Sequence, residues 1–282
     1  MTTDQHVAVV GLGYVGLPLA ISFVEAGHQV DGIDAYAGRV AELNAGSSPI
    51  DDVTNERLVQ ALGSGLRVLS PGEADLGAAD AIFVCVPTPI TTTKDPDLAP
   101  VLAAAETISG GIRKGQLIVL QSTTYPGTTT GPFREVLERG GLKAGQDFDL
   151  AFAPERVNPG DPASASKAIP RLVGATTPAA TKRAAALLAT INDNVIEMSS
   201  PDAAELSKLL GQVTETVYDT LPKDAAGLSA AGVSELLAAA RAALSPALQK
   251  SLVEVATALS AADQTSTEET ALLAQIRAAF GA

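Results

Sequence analysis

Residues 6–34, HVAVVGLGYVGLPLAISFVEAGHQVDGID, contain the pattern that decides the fold. A short apolar run leads into three glycines, Gly11, Gly13 and Gly16, followed by apolar residues at helical spacing and by a second apolar run that ends at Asp34. A strand, a glycine-rich turn that opens a helix, and a second strand that ends on an acid form a dinucleotide-binding βαβ unit. The pattern therefore predicts a dinucleotide site at this turn.

The glycines of the turn have different physical roles. Gly11 permits the tight turn, Gly13 lets a pyrophosphate approach the backbone, and Gly16 lets the helix pack closely on the strand. The helix N-terminus adds unpaired N–H groups and the positive end of its dipole, both of which favour phosphate. Asp34 would accept hydrogen bonds from a ribose diol and repel a 2′-phosphate, which favours NAD over NADP. The alternative is a glycine-rich turn in an α/β core that binds no ligand.

The alternation of strand and helix continues well beyond this unit. The predicted strands are 6–10, 29–33, 81–86, 116–120, 150–152 and 171–174, and the predicted helices are 15–26, 37–45, 55–62, 98–109, 129–139 and 178–189. The strands are rich in β-branched residues and apolar on both faces, which is typical of parallel strands covered by helices. We therefore predict an α/β fold, a Rossmann-type doubly wound parallel sheet, over residues 1–200.

The sequence changes character after the last predicted strand. Residues 202–282 contain no strand pattern and are rich in Ala and Leu at helical spacing. Ser266, with Glu269 three residues later, fits a capping box at the start of a helix. We predict that a connecting helix begins within 201–221 and that a small all-helical C-terminal segment occupies 222–282.

Composition narrows the functional classes. The 282-residue chain has a formal net charge of −13, which disfavours general nucleic-acid binding because phosphate backbones are repelled. The single cysteine, Cys85, cannot form an intramolecular disulfide and fits the reducing cytoplasm, where we expect the protein. We expect no signal peptide, no membrane span and no metal site, and interpret His6 and His28 as core or edge residues.

Three further segments lie where a ligand would bind. Residues 85–89 (CVPTP), 122–128 (STTYPGT) and 153–160 (APERVNPG) each follow a predicted strand. Open α/β sheets bind ligands at the carboxyl ends of their strands. Each segment alone is also consistent with a structural loop, but all three occur at the same predicted edge of the sheet.

Together these stretches resemble the UDP-glucose/GDP-mannose dehydrogenase family, the nucleotide-sugar 6-dehydrogenases. The matching stretches are VAVVGLGYVGLPLA, VPTP, STTYPGT, APERVNPGD with IPRLVG, and AELSKLL, so that the resemblance covers residues 6–210. PERVNPGD is most similar to members that act on UDP-N-acetylhexosamines. The resemblance implies an NAD-binding domain and a reaction that oxidises the C6 alcohol of a UDP-sugar to a carboxylate with two NAD.

The resemblance also implies site residues. Those implied to bind NAD are Gly11, Gly13, Tyr14, Val15, Gly16, Asp34, Arg39, Thr88, Pro89 and Thr123. Those implied in catalysis are Thr123 near the reacting centre, Glu155, which helps to activate or position water, and Lys208, which stabilises an oxyanion. Glu155 is also consistent with a surface-loop charge, and Lys208 with a solvated helix face.

The resemblance ends after residue 210. The family has an asparagine four residues after the lysine, where this sequence has Gln212, preceded by Gly211. We find no counterpart of the family's long central helix, its catalytic cysteine or its second α/β domain, and Cys85 lies in an apolar run typical of packing residues. We therefore expect a chain that is incomplete for the two-step oxidation. Natural truncation, gene fusion and an engineered chimera all stay open.

Two functional hypotheses follow. In the first, the chain is the NAD-binding domain of a UDP-sugar 6-dehydrogenase of polysaccharide biosynthesis. In the second, it is an NAD(H)-binding or scaffolding module whose helical tail, 222–282, binds a protein partner or a second copy of the chain. NAD is the expected cofactor in both, and a UDP-sugar is expected in the first alone.

Overall fold

The computed structural model describes residues 4–89, 96–155 and 171–208, together with residue 278. Its strands are β1 His6–Val10, β2 Gln29–Ile33, β3 Leu66–Leu69, β4 Ala81–Val84, β5 Leu117–Leu120, β6 Asp149–Phe152, β7 Arg171–Ala175 and β8 Val195–Glu197. Its helices are α1 Gly16–Glu25, α2 Ala37–Asn44, α3 Asn55–Ser64, α4 Ala99–Ser109, α5 Arg134–Leu137 and α6 Pro178–Leu188. Irregular helical turns flank α5 over 129–140, and residues 201–208 are also helical.

The eight strands form one sheet in the order β3-β2-β1-β4-β5-β6-β7-β8. Neighbours from β3 to β6 are parallel, β7 is antiparallel to β6, and β8 is parallel to β7. The strand order reverses between β1 and β4, and a crevice at such a reversal is the usual ligand site of an open α/β sheet. The predicted Rossmann-type fold is confirmed.

The register of the sheet brings the predicted site segments to one level. Val10, the last residue of β1, pairs with Ile33 of β2 and with Val84 of β4. Gly11 and Asp34 directly follow two of these residues, and the chain after β4 begins with Cys85 at the same edge. The glycine turn, the acid and the CVPTP segment therefore start side by side.

Two apolar clusters cover the two faces of the sheet. Val7 and Val9 of β1, with Phe83 of β4, pack in the cluster that contains residues of α1, α3 and α6. Ala8 and Ile82 belong to the opposite cluster, which contains residues of α4 and α5. Because successive side chains of a strand point to opposite faces, continuous apolar runs suit strands that are covered on both sides.

Helix starts follow ordinary capping chemistry. The Thr54 hydroxyl oxygen accepts a hydrogen bond from the Arg57 N–H at 3.3 Å and caps α3. The Thr177 hydroxyl oxygen accepts one from the Ala180 N–H at 3.1 Å, and Pro178 occupies the first position of α6. Such side chains satisfy N–H groups that have no partner within the helix. Both helices begin at the residue predicted from the sequence.

Three strands differ from the prediction. The prediction was a parallel sheet, and β7 is the exception because it runs antiparallel to β6. An antiparallel neighbour needs no crossover helix, and the sequence between β6 and β7 shows no helical pattern. β3 and β8 were not predicted: they are short strands at the two edges of the sheet, and the exposed Arg67 interrupts the apolar run of β3.

The chain divides into two compact units. The first comprises Met1–Thr88, Leu98–Thr123 and Thr128–Ala204, and it contains all the strands given above. The second comprises Pro89–Asp97, Thr124–Gly127 and Glu205–Ala282. The predicted boundaries at residues 200 and 221 stay predictions. The predicted helical tail lies outside the described residues, apart from the helical residue 278.

Both histidines make contacts within the fold. His6 Nε2 lies 2.9 Å from Asp31 Oδ2, and His28 Nε2 lies 3.1 Å from Thr190 Oγ1. Burial lowers the pKa of His28, and the negative charge of Asp4 opposes that shift. Within the described ranges, no three His, Cys, Asp or Glu side chains are grouped closely enough to hold a metal ion. The part of the chain that the structure describes contains no helix long and apolar enough to span a membrane.

Candidate functional site

A cavity of about 480 Å³ lies at the carboxyl ends of the strands, within the first unit. Its volume falls in the range of about 300–1,000 Å³ that is usual for small-molecule sites. The predicted residues that line it are Gly11, Gly13, Tyr14, Val15, Asp34, Arg39, Thr88, Thr123 and Glu155. The fold therefore brings most of the predicted site to the point where the strand order reverses.

The glycine turn forms one wall of the cavity. Gly11 has φ +93°, and a Cβ there would lie 2.8 Å from the Cys85 carbonyl oxygen. A Cβ on Gly16 would overlap the Gly11 carbonyl oxygen, so Gly16 lies beneath the turn and permits close packing. A Cβ on Gly13 would meet no protein atom within 4 Å, although Gly13 lines the cavity. The open space at Gly13 is where a phosphate group can approach the backbone, so the turn fits a dinucleotide.

Asp34 links the glycine turn to the start of α2. Its Oδ2 accepts a hydrogen bond from the Leu12 N–H at 2.9 Å, and its Oδ1 accepts one from the Tyr36 N–H at 2.9 Å. Arg39 Nη1 donates to the Leu12 carbonyl oxygen at 3.0 Å, which adds a second link. A carboxylate can accept about four hydrogen bonds, so Asp34 is held in place and can still accept from ribose hydroxyls.

Hydrogen bonds join the two segments that follow β4 and β5. The Thr88 hydroxyl donates to the Thr123 carbonyl oxygen at 2.9 Å, and the Ser122 hydroxyl donates to the Val86 carbonyl oxygen at 2.7 Å. Because the proton of the Thr88 hydroxyl is used in this bond, that hydroxyl can accept a hydrogen bond from a ligand in the cavity but cannot donate one. The predicted roles of Thr88 and Thr123 in binding and catalysis stay predictions.

Three side chains that also line the cavity, those of Cys85, Gln121 and Glu155, are joined by hydrogen bonds. The Cys85 thiol donates to Gln121 Oε1 at 3.7 Å, and Gln121 Nε2 donates to Glu155 Oε2 at 3.1 Å. Arg171 Nη2 lies 2.7 Å from the same Glu155 oxygen, and the two charged side chains are 13% and 12% exposed. We call these four residues the polar chain. It holds the Glu155 carboxylate in an ion pair largely shielded from water.

Burial keeps the Cys85 side chain in its thiol form. Burial raises the pKa of its thiol far above the ordinary range, the negative charge of Glu155 adds to that shift, and the positive charge of Arg171 opposes it. The thiolate is the nucleophilic form of cysteine, and Cys85 is a thiol at neutral pH. This agrees with the interpretation of Cys85 as a packing residue.

The second unit contains a buried acid that the sequence analysis did not single out. Glu205, which is fully buried, accepts a hydrogen bond from the Gly127 N–H at 2.7 Å and one from the Thr124 hydroxyl at 3.4 Å. Glu205 therefore anchors the middle of the STTYPGT segment. Lys208, in the helical stretch 201–208, and Pro89 also belong to this unit, and their predicted roles stay predictions.

Sequence reasoning missed Gln121 and Arg171 as partners of Glu155, and Glu205 as the buried acid of the second unit. Their common signal is a polar or charged residue next to apolar ones: Gln121 directly follows β5, and the other two occur within IPRLVG and AELSKLL. Most of PERVNPGD lies outside the described residues, which stop at Glu155 and resume at Arg171. The described residues therefore do not test the predicted preference for UDP-N-acetylhexosamines.

Comparison with known proteins gives a family match over most of the described fold. Residues 5–192 match the NAD binding domain of the UDP-glucose/GDP-mannose dehydrogenase family. Protein CapL of Staphylococcus aureus is 35% identical over 225 residues, which are 79% of this chain and 52% of that protein. The UDP-N-acetyl-D-glucosamine 6-dehydrogenase of Pseudomonas aeruginosa is 39% identical over 176 residues, 62% of this chain and 41% of that protein. The chain spans about half the length of the curated relatives it matches.

The fold is also found among solved structures. The UDP-D-ManNAc dehydrogenase from Pyrococcus horikoshii matches with a TM-score of 0.71 at 26% sequence identity. The match covers 97% of this chain and 69% of that chain. The structural similarity thus agrees with the sequence match.

Proposed function

Because the chain belongs to the UDP-glucose/GDP-mannose dehydrogenase family and contains its NAD-binding domain, we propose that it acts as the cofactor-binding half of a UDP-sugar 6-dehydrogenase. The observation that carries this proposal is the glycine turn beside a fixed Asp34 in one cavity at the strand-order reversal. Backbone shape and a ribose acceptor are the two features that a dinucleotide requires there.

Each part of the cavity wall has a defined task toward NAD. The gap at Gly13 admits the pyrophosphate, and the N-terminus of α1 offers it N–H groups and a favourable dipole. Asp34 accepts hydrogen bonds from the adenosine ribose and repels a 2′-phosphate. When bound, NAD supplies the acceptor for a hydride that leaves the C6 carbon of the sugar.

The proposed substrate class is a UDP-N-acetylhexosamine. Support comes from the PERVNPGD wording and from a relative named UDP-N-acetyl-D-glucosamine 6-dehydrogenase. In this proposal Glu155, held by Arg171 and Gln121, positions water or takes up its proton, while Lys208 stabilises an oxyanion and Thr123 lies near the reacting carbon. The family's acyl step needs a thiol nucleophile, and the buried Cys85 does not suit it. We therefore propose that this chain alone does not complete the second oxidation.

Calorimetric titration of the full chain with NAD and NADP tests the cofactor proposal. We expect NAD to bind at least about tenfold more tightly than NADP, because Asp34 repels the extra phosphate. Asp34→Ala should weaken NAD binding by about tenfold or more, since a charged hydrogen-bond acceptor is lost. Asp52→Ala removes an exposed carboxylate outside the cavity and serves as the matched control. Absence of NAD binding by the unaltered chain would contradict the proposal.

NADH formation in a first hydride transfer, which does not need the thiol step, would favour the dehydrogenase hypothesis over the module hypothesis. A dehydrogenase forms NADH from NAD and a UDP-N-acetylhexosamine, and Glu155→Gln and Lys208→Ala should each abolish that signal. A module that binds or scaffolds would bind NAD without turnover and would instead act through its tail and a protein partner. The cytoplasmic location, the homo-oligomer and the protein partner stay predictions.

A further inference from the structure

Tyr36 combines high exposure with a place in the cavity wall. Its side chain belongs to a residue that is 70% exposed, the highest value among the large exposed apolar residues of the described ranges. Tyr36 also lines the cavity, next to Asp34 and Arg39. Single exposed apolar side chains are common on protein surfaces, so exposure alone indicates nothing. What distinguishes Tyr36 is that its position is fixed.

Hydrogen bonds hold the backbone of Tyr36, and its ring lies against Gly38. Its N–H donates to Asp34 Oδ1 at 2.9 Å, and its carbonyl oxygen accepts from the Arg39 N–H at 2.9 Å in the first turn of α2. The ring lies against Gly38, where a Cβ would come within 2.7 Å of Cζ and 2.9 Å of the hydroxyl oxygen. Glycine is unfavourable inside a helix, and here its lack of a Cβ provides the space that the ring occupies.

The neighbours of Tyr36 indicate the chemistry of its ligand. In a site of this type the acid at the end of β2 binds the ribose of the adenosine half of the dinucleotide. One oxygen of the Asp34 carboxylate contacts the glycine turn and the other contacts the Tyr36 backbone. The base attached to that ribose is therefore within reach of the Tyr36 ring. A planar base and an exposed aromatic ring attract each other by stacking.

We propose that the Tyr36 ring is the stacking surface for the adenine base of NAD. This inference rests on the proposed function, namely that the cavity binds NAD. Because the backbone of Tyr36 is already fixed beside Asp34, binding of a base does not have to order the chain at this position, and more of the stacking free energy appears as affinity. Tyr36 acts here as a binding residue for the adenine half and has no part in hydride transfer.

The test compares Tyr36→Ala and Tyr36→Phe with the unaltered chain in calorimetric titrations with NAD and with ADP-ribose, which lacks nicotinamide. One lost stack should weaken both ligands by about tenfold in Tyr36→Ala, whereas Tyr36→Phe keeps the ring and should change them less than about threefold. Val59→Ala shortens another exposed apolar side chain, outside the cavity, and should leave both affinities unchanged. Thermal melts establish that each variant is folded.

Fluorescence of bound 1,N6-etheno-ADP gives a second readout, because stacking quenches the modified base. At saturation, we expect quenching in the unaltered chain and in Tyr36→Phe, and its loss in Tyr36→Ala. Unchanged ADP-ribose affinity in folded Tyr36→Ala would overturn the inference and leave NAD binding intact. Equal weakening in Tyr36→Ala and Tyr36→Phe would overturn stacking in favour of the hydroxyl group. If the unaltered chain binds neither NAD nor ADP-ribose, the proposed function and this inference both fail.

Discussion

On the side of β1 and β2, the cavity wall includes the backbone of the glycine turn 11–16, which the Asp34 carboxylate links, through the Leu12 N–H, to the start of α2. On the side of β4, β5 and β6, the wall includes the side chains of Cys85, Gln121 and Glu155, and the polar chain continues from Glu155 to Arg171. The backbone wall leaves open space at Gly13 and presents the Asp34 carboxylate as a hydrogen-bond acceptor. The polar chain satisfies a buried carboxylate before any ligand arrives.

The difference shows two ways in which a fold prepares a site. A backbone wall depends on the absence of side chains, so a single added methyl group is enough to close it. A polar chain depends on every member, because removal of one leaves another buried group without its partner. Mutations on the two sides should therefore differ in their effects on NAD affinity and on the free energy of unfolding. Three measurements test this expectation.

The largest effect is expected at Gly16. Gly16→Ala places a methyl group on the Gly11 carbonyl oxygen, and we expect a loss of about 3 kcal/mol or more in the free energy of unfolding, with NAD binding abolished. Gly13→Ala is the matched change in the same turn, since its methyl group meets no protein atom. We expect its stability to stay within about 0.5 kcal/mol of the unaltered chain, while NAD binding falls by about tenfold or more.

Urea denaturation and NAD titration of both glycine variants provide the measurement. If Gly16→Ala is as stable as the unaltered chain, the prediction for Gly16 is wrong, because the turn then has room for a methyl group that the structure does not show. If Gly13→Ala binds NAD as tightly as the unaltered chain, the prediction for Gly13 is wrong, because the cofactor would then not lie at the open space beside Gly13.

The next effect is expected at Arg171. Arg171→Met removes one member of a shielded ion pair, so we expect a loss of about 3 kcal/mol in the free energy of unfolding at neutral pH. The double variant Arg171→Met with Glu155→Gln also removes the charge and should recover a large part of that loss. Urea denaturation of both single variants and of the double variant completes the cycle. Additive losses would show that the pair is not coupled.

The smallest effect on the fold is expected from labelling Cys85, which leaves the sequence unchanged. Because burial raises the pKa of this thiol, a disulfide reagent at mildly alkaline pH should react with the native protein at least about a hundredfold more slowly than with the protein in urea. The urea sample is its own control, since the chain has one cysteine. Rapid labelling of the native protein would contradict this prediction, because it would show that the thiol of Cys85 becomes accessible to solvent.

Much of the site nearest the N-terminus could be predicted from sequence. The positions of Gly11, Gly13 and Gly16 relative to Asp34 follow from a local βαβ unit, whose strands and turn are continuous in the chain. β1 and β2 were predicted with the bounds that the structure shows. By contrast, the contacts of Gln121 and Arg171 with Glu155 depend on how β5, β6 and β7 are arranged in the sheet. The antiparallel direction of β7 likewise depends on its pairing with β6.

The sequence by itself determined the alternation of strand and helix, the cofactor turn and the family, because each of these is recognised from short stretches of residues that are adjacent in the chain. The tertiary structure alone decided that Glu155 is paired with Arg171, that Gln121 joins Glu155 to Cys85, and that Gly38 makes room for the ring of Tyr36. The physical reason is that burial, pairing and pKa depend on which groups the sheet order brings together, and strand order is not encoded in any single segment.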